Sequence, residues 1–459
     1  MPWSSPSRLE SLADAADYLD GLINRERRPG FDYERLDLRP SRALLDALGR
    51  PDDALSVVHV AGSKGKGSTC LFAESILLAL GESVGTFTSP HLESWVERFR
   101  LDGRPADETL LVDAVERVRP HVDRLRSGPV ETRPSFFDVT TAIACLLFAE
   151  AGVDRALLEV GLGGRLDSTN VVSPAVTCIT SIELEHTDKL GETEAEIAAE
   201  KAGILKPGVV AVLGALGPDA ERVIRRRAQE VGAPIRALGE DFQIEPCARR
   251  VSPRALPADA AEGFRYVEPT GLAFDVALAV AGTPARLNAA LAIACVRALE
   301  LFPGRAIAEA VPPALAGRSL PGRVEILSAD PRIVVDSAHT ARSAEALAEA
   351  LERVAPKGYE LLLSVSGDKD LPALLEPLLS GAQRVWTTRA EPTRSLAAEA
   401  LAERVRASRP GIEVVALEDP AEAARRARAE LGDGLVLCAT GSVYLAGVAR
   451  RVLGERRSG

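Results

Sequence analysis

Several features that mark other classes of protein are missing from this sequence. The 459-residue chain has no C-x-x-C pair, which removes the usual zinc and redox motifs. No apolar run approaches the ~18 residues needed to cross a bilayer, and the N-terminal segment lacks the pattern of a secretory signal. We therefore expect a cytoplasmic protein. Six isolated cysteines, most of them inside apolar runs, are predicted to be small buried side chains: Cys70, Cys145, Cys178, Cys247, Cys295 and Cys438.

Excess positive charge is also missing. The chain has 55 Lys and Arg against 66 Asp and Glu, and its formal net charge is -11. A general affinity for nucleic acid is excluded, because such binding needs a basic surface that neutralises phosphates. Any anionic ligand must therefore be bound by a local group of positive charges or N–H groups rather than by a generally basic surface. The hydrophobic content of 46% excludes global disorder, and the length suits two or three domains.

Apolar, strand-like runs alternate with helical segments along most of the chain. Residues 9–49 are predicted to be helical and amphipathic, with a break at Pro29 and Gly30. The runs LSVVHVAG, RALLEVGLGG, AVTCITSIEL and GVVAVLG are predicted strands of a parallel sheet covered on both faces. A short β-rich segment at about 233–287 follows, and a new set of strands begins after SLPGR. We place one domain at 1–318 and a smaller α/β domain at 319–459.

The stretch AGSKGKGST lies between a predicted strand and a predicted helix. Its spacing is unusual for a phosphate-binding loop, because Val60 stands where a glycine is common and Gly67 where a hydroxyl is common. Backbone N–H groups and the helix dipole can still bind an anion there, with positive charge from Lys66 and a hydroxyl from Ser68. We predict a phosphate loop; the alternative is a glycine-rich turn with solvated lysines. Its predicted contacts to the nucleotide are Lys64, Gly65, Lys66, Gly67 and Ser68.

Three further residues are candidates for the same site, each with a simpler alternative. Glu159 ends a buried strand, where it can reach a metal held by a nucleotide or can serve only as a turn carboxylate. His186 follows another strand end and could equally be a hydrogen-bonded surface residue. Lys201 lies in the last turn of a helix that begins with the capping pair Thr193 and Glu196, where a cation can simply complement the helix dipole.

Together these segments resemble the folylpolyglutamate synthase and dihydrofolate synthase branch of the Mur ligases over nearly the whole chain. The family loop reads Gly-Thr-(Asn or Lys)-Gly-Lys-Gly-(Ser or Thr), which accounts for the unusual spacing. The resemblance implies an α/β fold of Mur ligase architecture: a P-loop-containing parallel-sheet ATPase domain followed by a smaller Rossmann-like domain. The matching segments are HVAGSKGKGST, TSPHLESWVERFRLDG, LLEVGLGGRLDSTNVV, EHTDKLGETEAEIAAEKAGILKPG, LPGRVEIL, GDKD and ATGSVYL.

The resemblance also implies roles for individual residues. It implies that Ser89 and Glu159 bind one magnesium ion and that His186 helps to bind a second. Lys201 matches a lysine that is carbamylated to support that second ion, so Lys66, His186 and Lys201 become the catalytic candidates. The residues implied to contact ATP outside the loop are Asn288, Arg323, Asp336 and His339.

The activity implied by the resemblance is ATP-dependent amide formation. ATP phosphorylates a carboxylate to an acyl phosphate, and the amine of L-glutamate then displaces phosphate. The implied acceptor is dihydropteroate, a reduced folate or both, and we expect a monomer that binds neither nucleic acid nor membrane. Two alternatives stay open. One is a Mur-type ligase with a non-folate acceptor, although only about 55 residues precede the loop. The other is a catalytically silent nucleotide-binding relative.

The sequence departs from the family pattern at four places outside the implied metal ligands. Ser63-Lys64 replaces the common Thr-Asn, and Glu185 replaces a usual aspartate. Pro284 stands where many relatives have histidine. The pattern Asp-Gly-Ala-His-Asn reads Asp-Ser-Ala-His-Thr over residues 336–340. A lysine at position 64 is expected to be tolerated and to add positive charge beside the phosphates, whereas the other three changes are expected to affect the glutamate site and the adenine contacts.

Overall fold

The first domain is built on an eight-stranded sheet with the order β4-β3-β2-β5-β1-β6-β7-β8. The computed structural model describes residues 8–24, 33, 36–247 and 262–454, so the predicted break at Pro29 and Gly30 lies outside the described residues. The strands are β1 (Val57–Ala61), β2 (Val84–Phe87), β3 (Phe99–Leu101), β4 (Arg104–Pro105), β5 (Arg155–Glu159), β6 (Pro174–Ile179), β7 (Val210–Leu213) and β8 (Ile235–Ala237). The helices are α1 (Leu12–Asp20), α2 (Arg39–Ala47), α3 (Lys66–Ala79), α4 (Glu108–Ser127), α5 (Phe136–Ala151), α6 (Thr187–Leu190), α7 (Glu194–Lys201) and α8 (Pro218–Val231).

One edge of this sheet differs from the predicted all-parallel arrangement. β2 pairs antiparallel with β3, and β3 pairs antiparallel with β4. Asp102 and Gly103 join the last two strands, and both have positive φ, 48° and 79°. That conformation at both central residues is the one a two-residue hairpin turn needs, and Asp-Gly is among the sequences that adopt it most readily. The remaining pairs, from β2 through β8, are parallel.

A small antiparallel sheet with the order β11-β10-β9 covers part of the first domain. It contains β9 (Gln243–Pro246), β10 (Glu262–Val267) and β11 (Ala273–Leu278), followed by α9 (Thr283–Ala298) and α10 (Gly304–Ala316). Aromatic side chains of this sheet, including Phe264 and Tyr266, share one buried cluster with Phe72 of α3 and Ile293 of α9. The small sheet and α9 therefore pack against α3, the helix that follows the phosphate loop.

The second domain has a six-stranded sheet with the order β12-β13-β17-β14-β15-β16. Its strands are β12 (Glu325–Ala329), β13 (Arg332–Val335), β14 (Tyr359–Leu363), β15 (Ala382–Thr387), β16 (Glu413–Ala416) and β17 (Val436–Thr440). Its helices are α11 (Ala341–Val354), α12 (Leu371–Leu379), α13 (Ala398–Ser408), α14 (Pro420–Ala429) and α15 (Val443–Leu453). Only β12 runs antiparallel to its neighbour. Separate apolar clusters cover the two faces of the sheet.

Two composition-based expectations can be compared with the structure. All six cysteines are free, and five are buried, whereas Cys247 is partly exposed. Over the described ranges, none of the helices combines the length and the apolar character that a membrane span requires.

The sheet order brings the candidate residues to one edge of the first domain. Strands β5, β1 and β6 are adjacent and parallel, so their carboxyl ends meet at the same edge. Lys66 at the start of α3, Glu159 at the end of β5 and His186 just before α6 lie at that edge. In open α/β sheets, ligands bind outside the carboxyl ends of the strands, and this edge therefore locates the candidate site.

Candidate active site

The loop between β1 and α3 has the backbone shape of an anion site. Gly65 has φ of 84° and immediately precedes α3, whose first residue is Lys66. The N–H groups of the first helical turn have no partners within the helix and point toward the loop. A Cβ atom on Gly65 would overlap the side-chain amide of Asn288, so glycine alone lets α9 approach the loop so closely. Lys66 Nζ donates to the carbonyl oxygen of Gly62 at 3.0 Å.

Glu159 lies against this loop at the end of β5. Its side chain is buried, and its Oε2 accepts a hydrogen bond from the backbone N–H of Ser89 at 2.8 Å. A Cβ atom on Gly67 would lie 3.0 Å from the same oxygen, so the carboxylate faces the glycine-rich backbone. Burial raises the pKa of Glu159, and the nearby Lys66 ammonium opposes that shift. A buried carboxylate oxygen beside a phosphate loop matches the donors that Mg²⁺ prefers together with substrate phosphates.

Lys201 is buried behind the loop rather than exposed at the helix end. Its Nζ donates to the carbonyl oxygen of Gly62 at 3.0 Å and to Glu185 Oε1 at 3.1 Å. Burial lowers the pKa of Lys201 to about 8. Burial alone would raise the pKa of Glu185, but Lys201, Lys66 and Lys64 together lower it to about 2. The predicted capping pair of α7 forms, and the helix passes at Lys201 directly into a short 3₁₀ turn over 202–204.

Two of the departures from the family pattern contact each other. Lys64 Nζ lies 3.4 Å from Glu185 Oε2, on the other carboxylate oxygen from the one that binds Lys201. Glu185 therefore bridges two lysines. A glutamate reaches one methylene further than the usual aspartate, and a lysine extends further than the usual asparagine. The structure thus directs Lys64 toward Glu185 as well as toward the cleft.

His186 lies beside this pair in a left-handed backbone conformation, with φ of 48°. Such a conformation is uncommon for a residue other than glycine and clusters at functional sites. Burial lowers the pKa of His186 to about 4, so the imidazole is neutral at pH 7 and can serve as a metal ligand. His186 and Lys201 line the same small cavity of about 40 Å³ together with Lys66 and Glu185.

The second domain contributes residues from the opposite side. Asp336 is buried and accepts hydrogen bonds from the backbone N–H groups of Val324, at 2.8 Å, and Ala338, at 2.7 Å. Burial raises the pKa of Asp336. Arg323 contacts the hydroxyl of Ser337, the residue that replaces the family's glycine. His339 Nδ1 lies 2.8 Å from the carbonyl oxygen of Ser337, and burial lowers its pKa to about 4.

These groups surround one cleft of about 1890 Å³ between the domains. The structure brings to it every candidate residue except Lys201, which lines the adjoining small cavity. The candidates in the cleft wall are Lys64, Gly65, Lys66, Gly67, Ser68, Ser89, Glu159, His186, Asn288, Arg323, Asp336 and His339. Pro284, a further departure, also lines the cleft at the start of α9.

The sequence did not single out several residues that shape this cleft. Asp167 accepts hydrogen bonds from the backbone N–H groups of Gly161, at 3.0 Å, and Leu162, at 2.9 Å, and so fixes the turn after Glu159. Burial raises the pKa of Asp167 to about 6. Its only sequence signal was a carboxylate a few residues after a glycine-rich turn. Arg342 lies 3.6 Å from Glu183 across the cleft, a pairing that no local pattern predicts.

The described residues contain no group of three or more His, Cys, Asp or Glu that could hold a metal ion by themselves. An ion at Glu159 and Ser89 would therefore complete its coordination with water and with phosphate oxygens, as Mg²⁺ commonly does. Because Gly67 has no side chain, the Glu159 carboxylate lies directly against the backbone of the phosphate loop. The residues present fit a nucleotide-bound magnesium ion.

Comparison with known proteins agrees with this arrangement. A protein family described as "Mur ligase, glutamate ligase domain" matches residues 322–443. A phosphate loop in a parallel-sheet domain, facing such a domain across a cleft, defines an ATP-dependent ligase of the Mur type. The dihydrofolate synthase/folylpolyglutamate synthase of Bacillus subtilis is 33% identical over 443 residues, 96% of this chain and 98% of that protein. That of Mycobacterium tuberculosis is also 33% identical, over 98% of this chain and 96% of the relative.

Solved structures extend the similarity to the whole fold. Mycobacterium tuberculosis folylpolyglutamate synthase complexed with ADP has a TM-score of 0.85 and 31% identity, covering 97% of this chain and 98% of the other. Escherichia coli FolC in complex with DHPP and ADP has a TM-score of 0.82 and 30% identity, covering 99% and 100%. This chain belongs to the dihydrofolate synthase/folylpolyglutamate synthase family, whose members are ATP-dependent glutamate ligases.

Proposed function

We propose that this protein joins L-glutamate to the carboxylate of dihydropteroate, of a reduced folate or of both, and converts ATP to ADP and phosphate. The observation that carries the proposal is the single cleft in which a phosphate loop and the buried Glu159 face Arg323 and Asp336 of the second domain. Similarity over nearly the whole chain to relatives named for both activities supports the same choice of acceptor.

The nucleotide binds at the loop in this proposal. Backbone N–H groups at the start of α3 and the Lys66 ammonium hold its phosphates, where a positive charge and the helix dipole act together. Asn288, Arg323, Asp336 and His339 contact the nucleotide from the surrounding walls of the cleft. That a similar folylpolyglutamate synthase has been solved in complex with ADP supports the binding of a nucleotide by this fold.

Magnesium would be held at two places. Ser89 and Glu159 would hold one ion beside the loop, and His186 with a carbamylated Lys201 would hold the second. When bound, the ions supply positive charge that stabilises the transferring phosphoryl group. The neutral His186 and the depressed pKa of Lys201, about 8, support these roles, because a carbamate forms only from the neutral amine. In that step the amine nitrogen bonds to the carbon of CO₂ and one proton is released.

The chain's own residues then carry the reaction by positioning and electrostatics. The acceptor carboxylate attacks the terminal phosphorus of ATP, and ADP leaves, while Lys66 neutralises negative charge on the phosphoryl oxygens. The resulting acyl phosphate is attacked by the amine of L-glutamate, phosphate leaves, and an amide remains. In this proposal the acyl phosphate forms between the walls of the cleft, where the two domains limit the access of water to it. We propose that the protein acts as a monomer, because the candidate residues of a single chain already line one cleft and its adjoining cavity.

A substrate panel tests this proposal. The purified protein is incubated with ATP, magnesium and labelled L-glutamate, together with dihydropteroate, with tetrahydrofolate or with a UDP-sugar peptidoglycan precursor. We expect labelled products of defined glutamate chain length and stoichiometric ADP with one or both pteridine acceptors. Product with the UDP-sugar precursor alone would favour a Mur-type ligase with a different acceptor. No product with any acceptor, despite ATP binding, would favour a catalytically silent relative.

A further inference from the structure

The loop that carries Ser89 belongs to the first domain but is anchored in the second. We call residues 88–97 the Ser89 loop. The Leu92 side chain packs against the buried cluster of the second domain that contains Leu445 and Ala446 of α15. A Cβ atom on Gly322, in the segment that joins the domains, would lie 3.1 Å from Leu92 Cδ1. Leu92 is thus enclosed by residues on the other side of the domain boundary.

The backbone of α15 touches the backbone of the Ser89 loop. A Cβ atom on Gly447 would overlap the carbonyl oxygen of Leu92 and lie 2.9 Å from its carbonyl carbon. Arg450, one turn later on α15, places Nη1 3.0 Å from Glu93 Oε1 and Nε 3.0 Å from Glu325 Oε2. The second domain therefore contacts this loop through an apolar side chain, through a glycine that permits backbone contact, and through an ion pair.

The other end of the Ser89 loop contacts Glu159 at the proposed magnesium site. The Ser89 backbone N–H donates to Glu159 Oε2 at 2.8 Å, and only two residues separate Ser89 from Leu92. Three Cα–Cα steps span at most about 11 Å, so Ser89 cannot move far while Leu92 stays in place. The loop is also stiffened internally, because the Glu97 carboxylate accepts hydrogen bonds from the N–H groups of Leu92 at 3.0 Å and Ser94 at 3.1 Å.

We propose that Leu92 is a positioning residue, which couples docking of the second domain on α15 to the placement of Ser89 beside the phosphate loop. Ser89 and Glu159 are then correctly placed to bind magnesium only while Leu92 is packed between Gly322 and Gly447. The inference rests on the proposed role of Ser89 at a nucleotide-bound magnesium ion.

The first test compares Leu92→Ala with Leu125→Ala. Leu125 is a similarly half-buried leucine that packs within a cluster of the first domain alone. Calorimetry measures the affinity for a non-hydrolysable ATP analogue with and without magnesium, and steady-state kinetics measure kcat and KM. We expect Leu92→Ala to lose at least about tenfold both in kcat and in the magnesium-dependent gain in affinity, by analogy with other supporting residues of metal sites. Leu125→Ala keeps both, and Leu92→Met restores most of the loss.

Gly447→Ala tests the backbone contact independently. Alanine has a higher helix propensity than glycine, so a purely local effect in α15 would leave the protein at least as stable and as active as wild type. The proposal instead expects the same pair of losses as in Leu92→Ala, because the new methyl group displaces the Leu92 backbone. Values within twofold of wild type in both Leu92→Ala and Gly447→Ala would overturn it. If wild type makes no glutamyl product, the proposed function fails, and the binding comparison still decides this inference.

Discussion

Replacing Lys201 by methionine removes its amine while keeping most of its volume. Both acceptors of the Lys201 ammonium retain a second cation: Lys66 Nζ lies 3.0 Å from the Gly62 carbonyl oxygen, and Lys64 Nζ lies 3.4 Å from Glu185 Oε2. The substitution therefore leaves no buried charge without a partner. A hydrogen bond to a charged group contributes about 1.5–3 kcal/mol, and the methionine side chain offsets part of that loss. We expect the free energy of unfolding to fall by about 1–2 kcal/mol.

The effect on turnover is expected to be much larger. A carbamylated Lys201 that supports a magnesium ion contributes mainly to the transition state, so its loss lowers kcat by on the order of 10²-fold or more. In Lys201→Ala the vacated space can admit acetate or formate, and we expect either anion to restore part of the activity. A lysine that only complements the helix dipole predicts a stability loss of roughly 0.3–1 kcal/mol with catalysis nearly intact.

The assay measures kcat at saturating magnesium beside urea unfolding of the same preparations. Lys206→Met is the control, because Lys206 is a partly buried lysine that donates to Asn170 Oδ1 at 2.8 Å, outside the cleft. It should lose stability and keep kcat. A kcat for Lys201→Met within a factor of a few of wild type would refute the carbamate role.

Three further predictions concern other parts of the chain. Lys66→Ala should lower kcat by about 10²-fold with a nearly unchanged melting temperature; a normal kcat would assign Lys66 to the solvated surface. Lys64→Asn and Glu185→Asp should each lower kcat/KM for ATP but couple by about 0.5–3 kcal/mol in a double-mutant cycle, because the two side chains are in contact; strict additivity would contradict this. Burial lowers the pKa of His59 to about 3, below about 6.5 in the unfolded chain, so unfolding takes up a proton between those values and stability falls as pH drops through that window. His59→Gln should flatten urea-unfolding stability between pH 6.5 and 4.5 by up to about 1.4 kcal/mol per pH unit, and a slope equal to wild type would count against it.

Local patterns were sufficient to predict much of the fold and the position of the site. The apolar run over Val57–Ala61, the glycines after it and the following helix are contiguous, so strand, loop and helix could be recognised together. The ends of further predicted strands pointed to Glu159 and His186, and parallel sheet order brings them to one edge. The helix begins at Lys66, inside the glycine-rich stretch, because Gly65 provides the left-handed turn that precedes it.

Features that depend on contacts between distant segments could not be predicted in the same way. The β3–β4 hairpin was not predicted, because strands of three and two residues have almost no hydrophobic periodicity, although the sequence contains the Asp102-Gly103 turn. Lys64 and Glu185 each looked like an isolated departure, and only the fold brings them into contact. The packing of Leu92 likewise depends on Gly447 in α15. In the sequence this residue is recognisable only as a weak helix former, and nothing local links it to Leu92.

The central claim is that an acyl phosphate links ATP cleavage to amide formation, and isotope transfer tests it most directly. The acceptor is prepared with ¹⁸O in its reactive carboxylate and is turned over with unlabelled ATP and L-glutamate. Because one carboxylate oxygen leaves with phosphorus when the amine attacks, we predict that the released phosphate carries one ¹⁸O atom and that ADP carries none. Unlabelled phosphate, or release of AMP and pyrophosphate, would contradict the account.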